Sequence, residues 1–344
     1  MNKLEFFLFK VFLYLIFYNL DLFSNQDIFA VSNHKQFIKL ALKIFRFQHE
    51  NNLVYRQFCD FMKINPNEIK KLEQIPFLPI AFFKSHKIVS NESEVQEIFT
   101  SSGTTGTITS QHFVTDVSLY EQSYRQGFSL FYGNIEDYVI LALMPSYLDR
   151  SGSSLIYMFN DLIKMTNNSE SGFYLRNQQE LLEKLQSLQN SNKTILLIGV
   201  TFALLDLIEY AKTIDFDLVN NAKNCIIMET GGMKGRRKEM IREELHQQLC
   251  EGFGVKSIHS EYGMTELLSQ AYSLGNGIFE CTNQMHILIR DTEDALTYVA
   301  ANKTGGINII DLANINSCSF IATQDLGKKY NNINTASFVS SYIS

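Results

Sequence analysis

A basic surface is missing from this chain. Lys and Arg number 30 against 36 Asp and Glu, a formal net charge of −6 over 344 residues. Nucleic-acid binding proteins carry a basic footprint, so no nucleic-acid partner is expected. No polybasic run is present to meet an anionic membrane surface either. Cysteine is sparse: Cys59, Cys225, Cys250, Cys281 and Cys318 are odd in number, widely spaced and include no C-x-x-C pair. That pattern argues against a disulfide framework or a zinc site and for a reducing, cytoplasmic setting. Tryptophan is absent, proline occurs four times, and no internal repeat or low-complexity tract is visible. No apolar run is long enough to span a bilayer: within the apolar stretch from Leu4 to Phe23, the uninterrupted part is only Val11 to Tyr18. Residues 4–23 are open to three readings: a membrane-associating or signal-like leader, a buried helix, or an extension upstream of the functional start. The ordinary globular text after Asp27 favours the last, and no membrane partner is expected.

What is present is core-forming sequence. Hydrophobic residues make up 45%, aromatics 12% and charged residues 19%, which argues against wholesale disorder. The length exceeds a typical single domain and suffices for a large core, so one large α/β unit or two subdomains is expected. Residues 33–64 read as two amphipathic helices, with Ser32 as N-cap and Phe37, Leu40, Ala41, Ile44 and Phe45 on one face. From about residue 98, strand and helix alternate. Residues 138–144, 194–200, 224–228 and 255–259 read as strands, and 118–131, 178–188, 203–211 and 238–250 as helices. This rhythm predicts an α/β fold with a mostly parallel sheet. After residue 275, HILIRD, LTYVAA, GINIIDL and CSFIATQ follow one another without a helix between, which predicts a small antiparallel β subdomain. The expected division is an atypical apolar leader over 1–27, an α/β core over 28–274, a β-rich subdomain over 275–330 and a loose polar tail over 331–344.

The chemistry concentrates in three stretches. Thr100-Ser101-Ser102-Gly103-Thr104-Thr105-Gly106-Thr107 combines glycines, which let backbone N–H groups turn toward a ligand, with hydroxyl donors. Such a loop can cradle a triphosphate, although it is not a Walker A loop, because no Lys follows Gly106. Its other reading is a polar turn between strand and helix. The second stretch, Ser260-Glu261-Tyr262-Gly263-Met264-Thr265-Glu266, follows an expected strand, where the loops of an α/β sheet form the ligand crevice. Tyr262 offers a ring for stacking on a base, Thr265 a hydroxyl for phosphate, and Glu266 a hard oxygen ligand for Mg2+. Between them, Glu229-Thr230-Gly231-Gly232-Met233 places a double glycine straight after a strand, either as a simple turn or to lie flat against a ligand.

The order of these motifs resembles the adenylate-forming, acyl-activating superfamily: SSGTTG as its phosphate loop, YGMTE as its adenine and magnesium motif, and Thr323-Gln324-Asp325-Leu326-Gly327 as its ribose-binding motif. Within it, the text from about residue 28 to 330 is similar to the acyl-protein synthetase family (LuxE, long-chain-fatty-acid–luciferin-component ligase). The likeness extends through Pro76-Phe77-Leu78-Pro79-Ile80 with Phe83-Lys84-Ser85, Met144-Pro145-Ser146-Tyr147-Leu148, Gly231-Gly232-Met233-Lys234-Gly235-Arg236-Arg237 and Ile310-Asp311-Leu312-Ala313-Asn314. The resemblance implies the large N-terminal-type domain of adenylate-forming enzymes, a small β subdomain and no full C-terminal lid. It implies ATP and Mg2+, a long-chain fatty or other carboxylic acid as substrate, an acyl-adenylate, and transfer to a thiol that supplies a fatty acid reductase partner. Carried onto these residues, Ser101, Ser102, Gly103, Thr104, Thr105 and Gly106 would wrap the β- and γ-phosphates, and Gly231 and Gly232 would flank adenine. Tyr262 would stack on it, Thr265 would touch the α-phosphate, Glu266 would hold Mg2+, and Asp325 would bind ribose hydroxyls. His112 is a candidate phosphate contact and Tyr147 a candidate substrate-site residue. Lys234, Arg236 and Arg237 form a basic cluster read as a solvated face or as steering for ATP. His259 is expected to end a buried strand, and Lys84 has no assigned role. The family's acceptor cysteine lies beyond the ribose motif, and here no cysteine follows Cys318. A copy with altered ends is therefore expected, and a transfer-defective or silent nucleotide-binding module, or an aryl- or acyl-CoA ligase-like enzyme, stands as the alternative.

Overall fold

The computed structural model describes residues 24–101, 108–144, 152–175, 177–232, 237, 240–329 and 337–340. In chain order the elements are α1 (Asn25–Phe29), α2 (His34–Asn51), α3 (Leu53–Phe61), β1 (Leu78–Pro79), β2 (Glu97–Thr100), β3 (Gln111–Val114) and α4 (Val117–Tyr132). There follow β4 (Tyr138–Leu143), α5 (Ser154–Met165), β5 (Gly172–Tyr174), α6 (Gln178–Ser187), β6 (Thr194–Val200), α7 (Thr201–Thr213), α8 (Leu218–Ala222), β7 (Cys225–Thr230) and α9 (Arg242–Phe253). The chain closes with β8 (His259–Tyr262), β9 (Ala271–Ser273), β10 (Phe279–Cys281), β11 (Met285–Arg290), β12 (Thr304–Asp311), β13 (Phe320–Lys328) and β14 (Ser337–Ser340).

The expected parallel sheet is present. Strands β5, β4, β6, β7 and β8 lie side by side and parallel. Every residue of β4 is buried, as expected of a strand covered on both faces. Its side chains alternate between two cores. Val139, Leu141 and Leu143 join Leu204, Leu207, Leu245 and Leu249 on the face covered by α6, α7 and α9. Ile140 and Ala142 join Tyr120, Phe128 and Phe159 on the face covered by α4 and α5. That second core continues under α2, whose Phe37, Leu40, Ala41, Ile44 and Phe45 are buried on one stripe as the periodicity predicts. Each such side chain contributes roughly 1.5–3 kcal/mol by leaving water.

From β8 the sheet turns antiparallel. β9 and β10 follow β8, β14 pairs with both β10 and β13, and β12 and β11 complete the edge, with β1 running parallel to β13. The antiparallel strands thus extend the parallel ones in a single sheet.

Several local expectations are corrected. The N-cap of α2 is Asn33, whose side chain accepts from Gln36 N at 3.0 Å, while Ser32 donates its N–H and hydroxyl to Gln36 Oε1. The glycine- and threonine-rich stretch does not lead from a strand into a helix: the strands on either side of it, β2 and β3, pair antiparallel. The strand expected over 255–259 begins only at His259 and runs on to Tyr262, because the Gly254 cap of α9 and the turn after it use up the intervening residues. Ile241, expected on the buried stripe of a helix starting at 238, is 65% exposed just before α9. Residues 296–301 form only an isolated bridge, Tyr298 with Arg290. The tail contributes a strand: Phe338 in β14 is fully buried and stacks on Phe279 at 5.4 Å. Among the described residues, no helix is long and apolar enough to cross a membrane. The stretch 4–23 lies outside them.

Candidate active site

The carboxyl ends of β7 and β8 lie beside each other in parallel register, with Thr230 opposite Glu261. Glu229, one residue earlier, is buried and ion-paired: Arg242 Nη1 on α9 donates to its Oε1 at 2.8 Å, and His246 Nε2 lies 3.4 Å away. A buried carboxylate needs such a partner. Arg242 also lies over the Phe279 ring at 4.8 Å. This group fixes the end of β7, where Gly231 takes a φ of +61°, a conformation that costs glycine little. Thr201 at the start of α7 donates its hydroxyl to the Gly231 carbonyl at 2.9 Å.

The loop leaving β8 is held from below by the chain at 311–314. Asp311, fully buried, accepts four hydrogen bonds: Leu268 N at 2.7 Å, Ser269 N at 3.0 Å, Ser269 Oγ at 2.6 Å and Ala313 N at 3.1 Å. Burial raises its carboxyl, and these donors pull the other way. Asn314 Nδ2 donates to the Glu266 carbonyl at 2.7 Å. From the hairpin side, His112 on β3 closes the clamp: Nδ1 lies 2.8 Å from the Thr265 carbonyl and Nε2 3.0 Å from Asn314 Oδ1.

Two buried carboxyls lie on these elements. Glu266 is raised by burial; the Ser110 hydroxyl at the foot of the hairpin bonds to it, and the Lys84 charge favours its ionised form. Asp325 on β13 is raised by burial as well, opposed by the hydroxyl of Tyr262, which donates to its Oδ2 at 2.8 Å, and by Arg290. The Asp325 charge adds to the raising of Glu266. A third, Glu261, points to the opposite face of β8 from Tyr262. Burial pushes it up to about 7, helped by the Glu229 charge and opposed by the Thr230 hydroxyl, which donates to it at 2.5 Å.

The structure therefore brings together Tyr262, Thr265, Glu266, Asp325 and the hairpin shoulder carrying Ser101 and His112. Ser110 N donates to Ser101 Oγ at 2.9 Å, which ties the two legs of the hairpin together. Gly231 and Gly232 follow β7, the neighbour of β8. Ser102, Gly103, Thr104, Thr105, Gly106 and Tyr147 lie outside the described residues, as do Lys234 and Arg236. Four expected roles are not what the side chains show. His112 is buried with its ring set between the Thr265 carbonyl and the Asn314 amide, and burial pushes it down to about 4, so it clamps the loop and offers no charge to a phosphate. The Tyr262 ring is also buried, edge-on to Phe279 and Phe338 at 5.9 and 5.4 Å, and its hydroxyl holds Asp325. Arg237 is occupied by Asp206 and Glu209 on α7, donating to Glu209 Oε1 at 2.8 Å, which removes it as a free steering charge. His259 opens β8 instead of ending a strand, 3.2 Å from the Tyr132 hydroxyl. The clamp residues Asp311 and Asn314 were visible in the sequence only as family-like text; their role needs the fold.

The sheet order is that of an adenylate-forming ligase fold. The structure superposes on 2-hydroxyisobutyryl-CoA ligase in the postadenylation state with 2-HIB-AMP at a TM-score of 0.67 and 12% identity, covering 89% of this chain and 66% of that one. It superposes on ATP-bound MatB from Rhodopseudomonas palustris at 0.54 and 14%, covering 74% and 49%. Within that class, the chain belongs to the acyl-protein synthetase family, LuxE, which matches residues 19–336. It is 25% identical over 237 residues to the long-chain-fatty-acid–luciferin-component ligase of Vibrio harveyi, covering 66% of this chain and 61% of that protein. To the protein of the same name from Aliivibrio fischeri it is 24% identical over 307 residues, covering 84% and 78%. The chain thus spans about three fifths of the first relative's length.

Proposed function

We propose that the chain activates a carboxylic acid, of the long-chain fatty class, by forming an acyl-adenylate from ATP, and that the acyl group then passes to a thiol that serves a fatty acid reductase. The observation that carries this reading is the joining of three distant stretches at one place. The hairpin bonds to the YGMTE loop through His112 and Thr265, and that element bonds to the late aspartate through Tyr262 and Asp325, each at 2.8 Å. Attack of a carboxylate on the α-phosphorus needs the two reactants held in line and the charge on the phosphates neutralised. In this reading the stretch from Ser101 to Gly106 wraps the β- and γ-phosphates, and Gly231 and Gly232 flank the adenine. Thr265 meets the α-phosphate. Asp325, held by Tyr262, takes the ribose hydroxyls.

Mg2+ fits the donor set. Among the described residues no cluster of three metal-ligating side chains occurs, and Mg2+ needs none: one or two carboxylates and substrate phosphates suffice. Glu266 is the carboxylate that would hold it, and the ion when bound would neutralise charge on the phosphates. For the transfer step, none of the five cysteines is a ready nucleophile. Cys59, Cys225, Cys281 and Cys318 are buried, Cys250 is half-buried, and burial raises all five thiols. A thiolate acceptor is therefore supplied by another group.

The test is pyrophosphate exchange with a panel of fatty and aryl acids. Exchange with long-chain acids supports the reading. A folded sample that exchanges with no acid, yet binds ATP by calorimetry, would assign the chain to the silent nucleotide-binding class instead.

A further inference from the structure

Lys84 closes a short helical turn, Ile80–Lys84, that the fold delivers to this site. β1 pairs with β13 so that Pro79 lies opposite Ala322, one residue before Thr323 of the aspartate-bearing stretch. The turn starts at the next residue. Phe83 is buried and sets its ring edge-on to His112 at 5.7 Å, and His112 in turn lies 2.8 Å from the Thr265 carbonyl. Phe83 thus ties this turn to the residue that clamps Thr265, and Lys84 is the next residue along.

The charges at this place leave room for a further cation besides Mg2+. Glu266 and Asp325 are both carboxyls, and a bound triphosphate adds more negative charge in a partly desolvated site. Arg290, the cation near Asp325, is committed: Nη1 donates to the Ile307 carbonyl at 2.7 Å and to Asn308 Oδ1 at 2.8 Å, and Nη2 to the Thr323 carbonyl at 2.5 Å. Lys84 is exposed and, among the described residues, takes no hydrogen bond or ion pair, while its charge reaches Glu266. A mobile ammonium on a fixed backbone is suited to a phosphate, which it meets as a point charge.

We propose that Lys84 is a substrate contact of the site: its ammonium, on the turn that Phe83 and β1 hold, meets the triphosphate of the nucleotide. This rests on the adenylation reading above. It gives the chain a cation for the phosphates from its N-terminal side.

The experiment compares the full chain with Lys84→Met, Lys84→Arg and, as a surface control, Lys212→Met on α7. Binding of Mg2+–ATP is measured by calorimetry and pyrophosphate exchange by rate against ATP concentration. Lys84→Met is expected to weaken ATP binding and raise the ATP KM by ~10–100-fold, the loss of one charge-assisted contact. Lys84→Arg should recover most of it, and Lys212→Met should behave as the parent. AMP binding should change little in Lys84→Met, since the contact is with the outer phosphates. An active parent with an unchanged ATP KM in Lys84→Met, or equal losses for AMP and ATP, overturns the inference and leaves the proposed function standing. A folded parent that binds no ATP overturns both.

Discussion

Glu261 differs from Glu266 and Asp325 in what lies around it. Glu266 and Asp325 each have a cation within reach, Lys84 and Arg290, but the charge nearest to Glu261 is Glu229, of its own sign. Its one neutral donor, Thr230, does not offset burial, and the carboxyl is pushed from its ordinary 4.5 up to about 7. An acid with a raised folded value binds its proton more tightly folded than unfolded. Its contribution to stability is therefore lost as pH climbs from 4.5 to 7, and above 7 the protein carries the full cost of a buried charge. Glu261→Gln keeps the shape and the acceptor for Thr230 and removes the charge. Its gain over the parent should be near zero at pH 4.5 and on the order of 2–3 kcal/mol at pH 8. His112, pushed down to about 4, loses stability in the other direction as pH falls, but it is the same in both proteins and cancels in the difference. Thermal melts of parent and variant at the two pH values check this; an equal shift at both would mean that Glu261 is not the titrating group.

The loop between β8 and β9 keeps its shape through atoms outside itself. Leu267 and Leu268 are buried, and the backbone N–H groups of Leu268 and Ser269 point inward at Asp311, on a turn more than forty residues later. Asp311→Asn retains the size but offers one oxygen to a set that needs two. Whichever way the amide lies, its NH2 faces an N–H, from Ala313 or from the loop. The expected cost is about 1–3 kcal/mol, with faster hydrogen exchange at Leu268 and Ser269 than in the parent. Exchange followed by mass spectrometry checks it, and unchanged protection at those two residues would assign the loop's order to its leucines alone. What the sequence showed of this region follows the same division. The strands of the parallel sheet are legible because burial on both faces makes them continuous apolar runs, such as YVILAL and TILLIGV. β8 is not, because HSEY is polar and is buried through hydrogen bonds and ion pairs instead of apolar packing. The residues that meet at the site could be named one by one from their motifs, but the clamp by His112 could not. A histidine on a short strand reads the same whether its ring faces phosphate or a backbone carbonyl.

At the scale of the whole molecule, the proposed nucleotide site lies where the parallel and antiparallel parts of the sheet meet. Tyr262 ends the last parallel strand, Asp325 lies on an antiparallel one, and the two are joined by a single hydrogen bond of 2.8 Å. β14 stitches the same seam: it pairs with β10 on one side and β13 on the other. Its sequence, SFVS in a polar tail, gave no periodicity to read, although Phe338 is fully buried. That ring stacks on Phe279 at 5.4 Å and meets the Tyr262 ring edge-on at 5.4 Å. The seam and the site therefore share one aromatic cluster, and weakening one should weaken the other. Phe338→Ala is expected to cost about 3–5 kcal/mol of folding stability through the cavity it leaves. It should also free the Tyr262 ring, so that the hydroxyl no longer keeps Asp325 in place. Denaturant unfolding gives the first quantity, and ATP titration under conditions where the variant is still folded gives the second. A loss of stability with unchanged ATP affinity would show that the Tyr262–Asp325 bond stands without its aromatic support, and that the seam and the site are independent.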